Sequence, residues 1–414
     1  MKIAVVGGGI SGLAVAHLLC AEHEITLFEA NDYLGGHTNT IDVTLADSEW
    51  AVDTGFIVFN ERTYPNFIRL LDRLGVTSQP SVMSFSVTDE RTGLQYCATN
   101  LDTLFAQRRN LLNPGFWRML LEIFRFNRES RELYAGEDLT LALGAYLQTH
   151  GYSHTFIEQF LVPMGSAIWS ADPSRFLDFP ATAFVTFFTN HGILNAVDQP
   201  RWRVISGGSR QYVEPLARPF RNRVRLSSPV SRVERHPDRV EVTVLGSAAQ
   251  RFDQVVLACH SDQSLAMLAD PSPLERDLLG AIPYQQNEAT LHTDVAQLPS
   301  LPKARASWNS RIPRTERAAP LLTYWMNRLQ SLQAPVEFCV TLNATDDIRA
   351  DQVLYRTTYQ HPVYSAAAFA AQRRREELNG VNRTWYCGAY WGYGFHEDGL
   401  NSALAVCRRF GRSL

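Results

Sequence analysis

KIAVVGGGISGLAVAHLL, residues 2–19, is a short apolar run that breaks into glycines and continues as a second apolar segment. The run is strand-like, and Gly7, Gly9 and Gly12 give the spacing G-x-G-x-x-G at the opening of a helix. Gly7 permits the tight turn, Gly9 lets a pyrophosphate reach the backbone, and Gly12 lets the helix lie close to the strand. The helix start offers free N–H groups and a positive dipole end to phosphates. Ser11, between the last two glycines, belongs to the same cradle. A second strand, EITLFEA, ends in Glu29, twenty residues after Gly9. There a carboxylate meets a ribose 2′-hydroxyl, which fits FAD or NAD and disfavours NADP.

The 414-residue chain is too long for one small core, so two domains or a large insertion are expected. A formal net charge of −3 gives no electrostatic case for nucleic-acid binding. No apolar run approaches the ~18–20 residues of a membrane span, and the chain opens on a strand pattern in place of a signal peptide. The expected location is the cytoplasm, with peripheral contact at the inner membrane surface left open. Six cysteines without a CxxC pair read as reduced thiols, neither a disulfide framework nor a zinc site. Lys2 and Lys303 are the only lysines.

Two further glycine segments follow Glu29: YLGGHTNT, with Gly35, Gly36 and His37, and AVDTGFIVFN, with Gly55. With the dinucleotide motif, they make the chain resemble the flavin-containing amine oxidase and phytoene-desaturase superfamily, which carries a GG-R/H-x-x-T segment after the acidic strand. The resemblance implies non-covalently bound FAD, with Gly35, Gly36, His37 and Gly55 along its pyrophosphate and flavin. His37 stands where the superfamily usually has arginine. Further pieces occur in the superfamily's order: Gly207-Gly208-Ser209 before a helix, a strand near Val230 placed at the adenine, and the buried strand FDQVVLAC. No second G-x-G-x-x-G is present, so an NAD(P)H site is not expected. Oxygen, a quinone or a carrier would take the electrons.

From about Asn60 a long helical region is expected, including FWRMLLEIFRFNRESREL with Phe116, Leu120, Ile123 or Phe124 and Asn127 at helical spacing. Its arginines Arg118, Arg125, Arg128 and Arg131 allow either a substrate-domain helix with one buried face or contact with an anionic membrane surface. ATAFVTFFTNHGIL, residues 181–194, is a core segment or a tunnel lining. Residues 264–379 read as strand-like pieces separated by proline-rich turns, with His292, Asp294, Trp308, Asn309, Tyr359 and His361 as weak site candidates. The expected fold class is α/β, α+β overall: a Rossmann-like FAD-binding domain of residues 1–60, 200–263 and 380–414. It is interrupted by a substrate domain of residues 61–199 and 264–379, with a mixed sheet and a helical region.

TWYCGAYWGYGFHEDGLNSALAV closes the chain as strand, aromatic loop and helix, the helix starting near Asp398-Gly399. In the resembled superfamily this segment directs a helix N-terminus at the flavin. The resemblance implies that Gly388 lies there, that Gly399 and Leu400 offer N–H groups, and that Glu397 and Asp398 cap the first turn. Asp398 also suits an N-cap on its own chemistry. Consecutive His396, Glu397 and Asp398 cannot easily converge on one ion, so no metal is expected. Trp391, Tyr393 and His396 are the catalytic candidates, with plain packing as the alternative for the aromatics.

TYWMNRLQ, TLNA, YQHPVY and SWN, together with GYGFHEDGL, also resemble a bacterial subgroup of FAD-binding proteins encoded beside cyclopropane-fatty-acid synthases. That resemblance implies an oxidoreductase, of desaturase type, acting on a modified or unsaturated acyl chain. An amine or polyene oxidase is the alternative. A non-redox isomerase or a lipid-binding flavoprotein is the alternative of another class.

Overall fold

A computed structural model describes residues 1–45, 47–193, 199–315 and 317–414. Leu194, the last residue of the aromatic segment above, lies outside the described residues. Lys2–Val6 is the central strand of a five-stranded parallel sheet, in the order Val224–Arg225, Glu24–Phe28, Lys2–Val6, Gln254–Leu257, Thr384–Tyr386. Ile3, Ala4 and Val5 are fully buried, as a parallel strand covered on both faces requires. One covering layer is formed by the helix Ile10–Leu19 and the C-terminal helix His396–Arg409. They share a core with Leu400, Ala403 and Leu404.

Gly7 takes φ +107°, which a side chain would strain, and a Cβ on Gly12 would lie 2.0 Å from the Gly7 carbonyl oxygen. The strand–turn–helix therefore closes as the glycine spacing predicts. Ser11 Oγ donates to the Gly399 carbonyl at 2.9 Å, tying the first helix of the chain to the last.

A second, seven-stranded sheet has the order Val353–Pro362, Tyr284–His292, Cys339–Leu342, Leu321–Trp325, Trp308–Ile312, Phe85–Asp89, Leu94–Cys97. Its pairings are antiparallel except Trp308–Ile312 with Phe85–Asp89, so the sheet is mixed. The region after Asn60 is thus not continuously helical. Phe85–Asp89 and Leu94–Cys97 form a hairpin whose parallel partner lies more than two hundred residues downstream. Between the hairpin and residue 193 the helices are short, apart from Pro114–Glu129 and Ala181–Asn190. On Pro114–Glu129 the core face is Phe116, Met119 and Phe126. In Ala181–Asn190, Phe184, Phe187 and Phe188 are buried, each side chain contributing about 1.5–3 kcal/mol of transfer free energy.

Candidate active site

The residues just beyond the carboxyl ends of the central strands, Gly7, Glu29, Ala258 and Gly388, all face one cavity of about 1470 Å³. Ligands of open α/β sheets bind at this edge, where connections diverge to either side of the first strand. The volume exceeds the ~300–1,000 Å³ common for a single small ligand, leaving room for a dinucleotide and a second molecule.

At the nucleotide end, the first hydrogen bond of the helix Ile10–Leu19 runs from Leu13 N–H to the Gly9 carbonyl at 2.9 Å. The N–H groups before it have no partner within the helix and form an anion cradle. Gly7, Gly9 and Ser11 line the cavity there, while Gly12 sits behind, at the helix–strand contact. Glu29 lies beside the cradle, accepting from Gly8 N–H at 2.6 Å and Asn31 N–H at 2.8 Å. The second glycine pair joins the first: Gly35 N–H donates to the Gly8 carbonyl at 2.8 Å. Val230 enters the same wall from the three-stranded sheet of Val230–Arg235, Val240–Val244 and Gln250–Phe252. Gly36, His37 and Gly55 continue it inward.

Toward the interior the wall becomes aromatic and imidazole-rich. The His37 ring stacks on Tyr359 at 4.9 Å and lies 5.4 Å from His361 and 6.2 Å from His260. Burial, with the neighbouring imidazoles His361, His260 and His396, holds His37 well below the usual histidine range, and burial pushes His361 down to about 4. Of the weak candidates, Trp308, Tyr359 and His361 reach the wall. His292 is a core residue bonded to Thr341 at 2.7 Å, and Asp294 caps its own loop through Ala296 N–H. Asn309 is buried, bridging Ala306 and Thr323. His260 escaped the sequence reading, although it follows the buried strand VVLAC closely and so sits at the ligand edge.

The C-terminal segment separates into distinct roles. His396 Nε2 lies 2.9 Å from Thr38 Oγ1 and 3.1 Å from the Tyr212 hydroxyl, with its ring stacked on Phe56 at 3.5 Å. Burial pushes it down to about 3, so it is neutral at working pH. Glu397 points elsewhere, accepting N–H bonds from Asn66 at 3.0 Å and Phe67 at 2.8 Å, and thereby capping the helix Pro65–Leu74. Asp398 turns back to accept from Tyr393 and Phe395 N–H, each at 3.0 Å, and burial raises it to about 6. The three side chains diverge, and no cluster of three potential metal ligands occurs among the described residues.

The last helix begins at His396, because Asp398 serves from the third helical position and not as N-cap. Gly399 N–H is therefore spent on the Phe395 carbonyl at 3.0 Å, and Leu400 is fully buried, so the free N–H groups are those of residues 396–398. Glu397 and Asp398 face other backbone segments and not the cavity. Trp391 is buried behind the wall; in the turn Ala389–Trp391 it is Tyr390 that faces the cavity, alongside Gly388, Tyr393 and His396.

The residues present fit a flavin dinucleotide: a phosphate cradle, a ribose carboxylate, a second helix N-terminus, and hydroxyls of Tyr364 and Tyr390 that have no partner in the protein. This arrangement defines a dinucleotide-binding flavoprotein. Residues 10–291 match the Flavin containing amine oxidoreductase family, and the chain belongs to it, a family of FAD-dependent oxidoreductases. A flavin-containing amine oxidase of Oncorhynchus mykiss is 24% identical over 298 residues, 68% of this chain and 54% of that protein. The chain thus spans about half the length of the curated relative it matches. The fold is also that of a CLA-producing fatty acid isomerase from P. acnes (TM-score 0.71, 16% identity, 99% of this chain and 98% of that one). Cyclohexylamine oxidase from Brevibacterium oxydans is equally similar in fold (TM-score 0.71, 15% identity, 99% of each chain).

Proposed function

We propose that the protein is an FAD-dependent oxidoreductase that desaturates an unsaturated or otherwise modified acyl chain of a phospholipid, which it meets in peripheral contact with a membrane. The observation that carries this reading is the charge pattern of the cavity. Among its described lining residues Glu29, at the nucleotide end, is the only Asp, Glu, Lys or Arg. Elsewhere the wall is Phe160, Met164, Ile168, Trp169, Phe187, Tyr393 and other apolar or neutral groups. A cationic amine would give up its hydration without an ionic partner there, whereas an acyl chain gives up none. Lysine is absent from the wall as well: Lys303 pairs with Asp102 at 2.8 Å on the surface. The likeness in fold to a fatty acid isomerase is compatible with such a substrate.

Bound FAD would supply a hydride acceptor, with oxygen or a quinone as the final oxidant. The chain's own residues hold the cofactor through the glycine cradle and Glu29. The aromatic wall excludes water and orients one C–H bond of the substrate. An unactivated methylene is a very poor hydride donor, so the C–H is allylic or similarly activated.

Anaerobic mixing of the yellow protein with an unsaturated phospholipid in detergent tests this. Bleaching of the flavin, with a product two hydrogens lighter, is expected. Bleaching by amines alone would overturn the reading, and unbleached flavin with a shifted double bond would assign isomerisation instead.

A further inference from the structure

We infer that the segment of residues 101–131 is a docking face for a bilayer containing anionic phospholipid, and that the substrate chain enters the cavity through it. The inference rests on the acyl-chain reading of the cavity but is carried by separate surface observations. Thirteen large apolar side chains are exposed among the described residues, and six of them fall in this one segment: Leu101, Leu111, Leu112, Trp117, Leu121 and Phe124. Leu112 is 90% exposed and Leu101 74%.

These side chains belong to one surface. Trp117 Nε1 donates to the Leu111 carbonyl at 2.9 Å, and the Trp117 ring lies 5.2 Å from Phe105. Trp117, Leu121 and Phe124 recur at helical spacing on Pro114–Glu129, opposite the core face of Phe116, Met119 and Phe126. The patch is continuous with the cavity, because Leu101, Trp117, Leu121 and Phe124 also line it. Leu104, Phe105, Leu120 and Ile123, close to these side chains in sequence, extend the apolar lining of the cavity.

Charge selects the partner. Residues 101–131 carry six arginines against Asp102, Glu122 and Glu129, in a chain whose net charge is −3. Arg108 shares Asp102 with Lys303, Arg118 pairs with the buried Glu122, and Arg125 with Glu129. Arg118 and Arg128 keep 62% and 78% of their side chains exposed. Basic groups around exposed Trp, Phe and Leu suit an interface of acyl chains under anionic headgroups. No helix among the described residues is long and apolar enough to cross a membrane, so the contact is peripheral.

The test is flotation of the full FAD-loaded protein with vesicles of saturated phosphatidylcholine, with or without saturated phosphatidylglycerol. Such vesicles offer no unsaturated chain, so binding is read independently of turnover. The wild type should float with the anionic vesicles and release as salt is raised. Leu112→Asp, at a side chain outside the cavity wall, should weaken binding about tenfold or more. Arg128→Glu should weaken binding to anionic vesicles only, and both variants should retain turnover of detergent-dispersed substrate. Absence of flotation, or unchanged flotation of Leu112→Asp, would overturn the inference. So would a wild-type dimer that Leu112→Asp dissociates without any vesicle binding, which would assign the face to self-association. Flotation without flavin bleaching by any acyl lipid would instead sink the substrate reading and leave the docking face standing.

Discussion

Acidification from pH 7 to pH 5 should destabilise the protein through its buried imidazoles. Burial pushes His191, His292 and His361 down to about 4 and His396 to about 3, below the usual 6.5. A histidine whose folded value is depressed contributes stability above the unfolded value and loses it as pH falls toward the folded one. At pH 5 each unfolded imidazole binds a proton that the folded one rejects, a loss of about 2 kcal/mol per group and roughly 8 for four. Asp53 and Asp398 act oppositely. Burial raises both to about 6, so the folded state binds protons more tightly and stability grows as pH falls from 7 to 5. Their gain is about 1.3 kcal/mol each, leaving a net loss of about 5 kcal/mol. At about 2.1 cal/mol/K per residue, that lowers the melting temperature of a cooperative chain of this length by roughly 6 °C. Scanning calorimetry of the FAD-loaded protein at both pH values checks this. His396→Gln, which can still bond Thr38 or Tyr212, should recover about a quarter of the gross imidazole loss, roughly 2 kcal/mol. A melting temperature that is flat or rises on acidification would refute the reasoning.

Gly12→Val should yield protein without flavin, because its Cβ would meet the Gly7 carbonyl oxygen at 2.0 Å and push the helix off the strand; absorbance of the purified variant reads this. Tyr393→Ala should keep FAD and lose turnover, since Tyr393 is in the cavity wall. Trp391→Ala should cost about 3–5 kcal/mol of stability, measured by denaturant titration, while the folded fraction keeps its turnover. Glu397→Ala removes the acceptor of two N–H groups at the start of Pro65–Leu74 and should cost about 2 kcal/mol, with Glu397→Gln costing less.

The nucleotide end was legible because its physics is local. Gly7, Gly9, Gly12 and Glu29 are constrained by turn geometry and strand length within thirty residues. The hairpin Phe85–Cys97 was illegible for the opposite reason: its alternation is short, and its pairing partner Trp308–Ile312 lies far along the chain. The sequence points to a helix start near Asp398-Gly399, later than His396, because Gly399 resembles a start. The better signal was the spacing Phe395-x-x-Asp398, half of a capping box in which the third helical residue reaches back. Glu397 shows a further limit, since no local pattern announces that a carboxylate caps a helix more than three hundred residues away.

His37 links the sequence departure to the chemistry. An arginine there would stay ionised at any pH and, facing a wall whose one carboxylate among the described residues, Glu29, lies at the nucleotide end, would bring a permanent charge into the interior. A histidine can shed its proton, and burial together with His361 and His260 makes it do so. Stacked on Tyr359, the neutral ring leaves the deep cavity uncharged while filling space between the second glycine pair and the large sheet. Histidine therefore spares this point of the wall the charge that an arginine would bring. Without that charge the wall avoids a desolvation cost of several kcal/mol, which an apolar occupant could not repay.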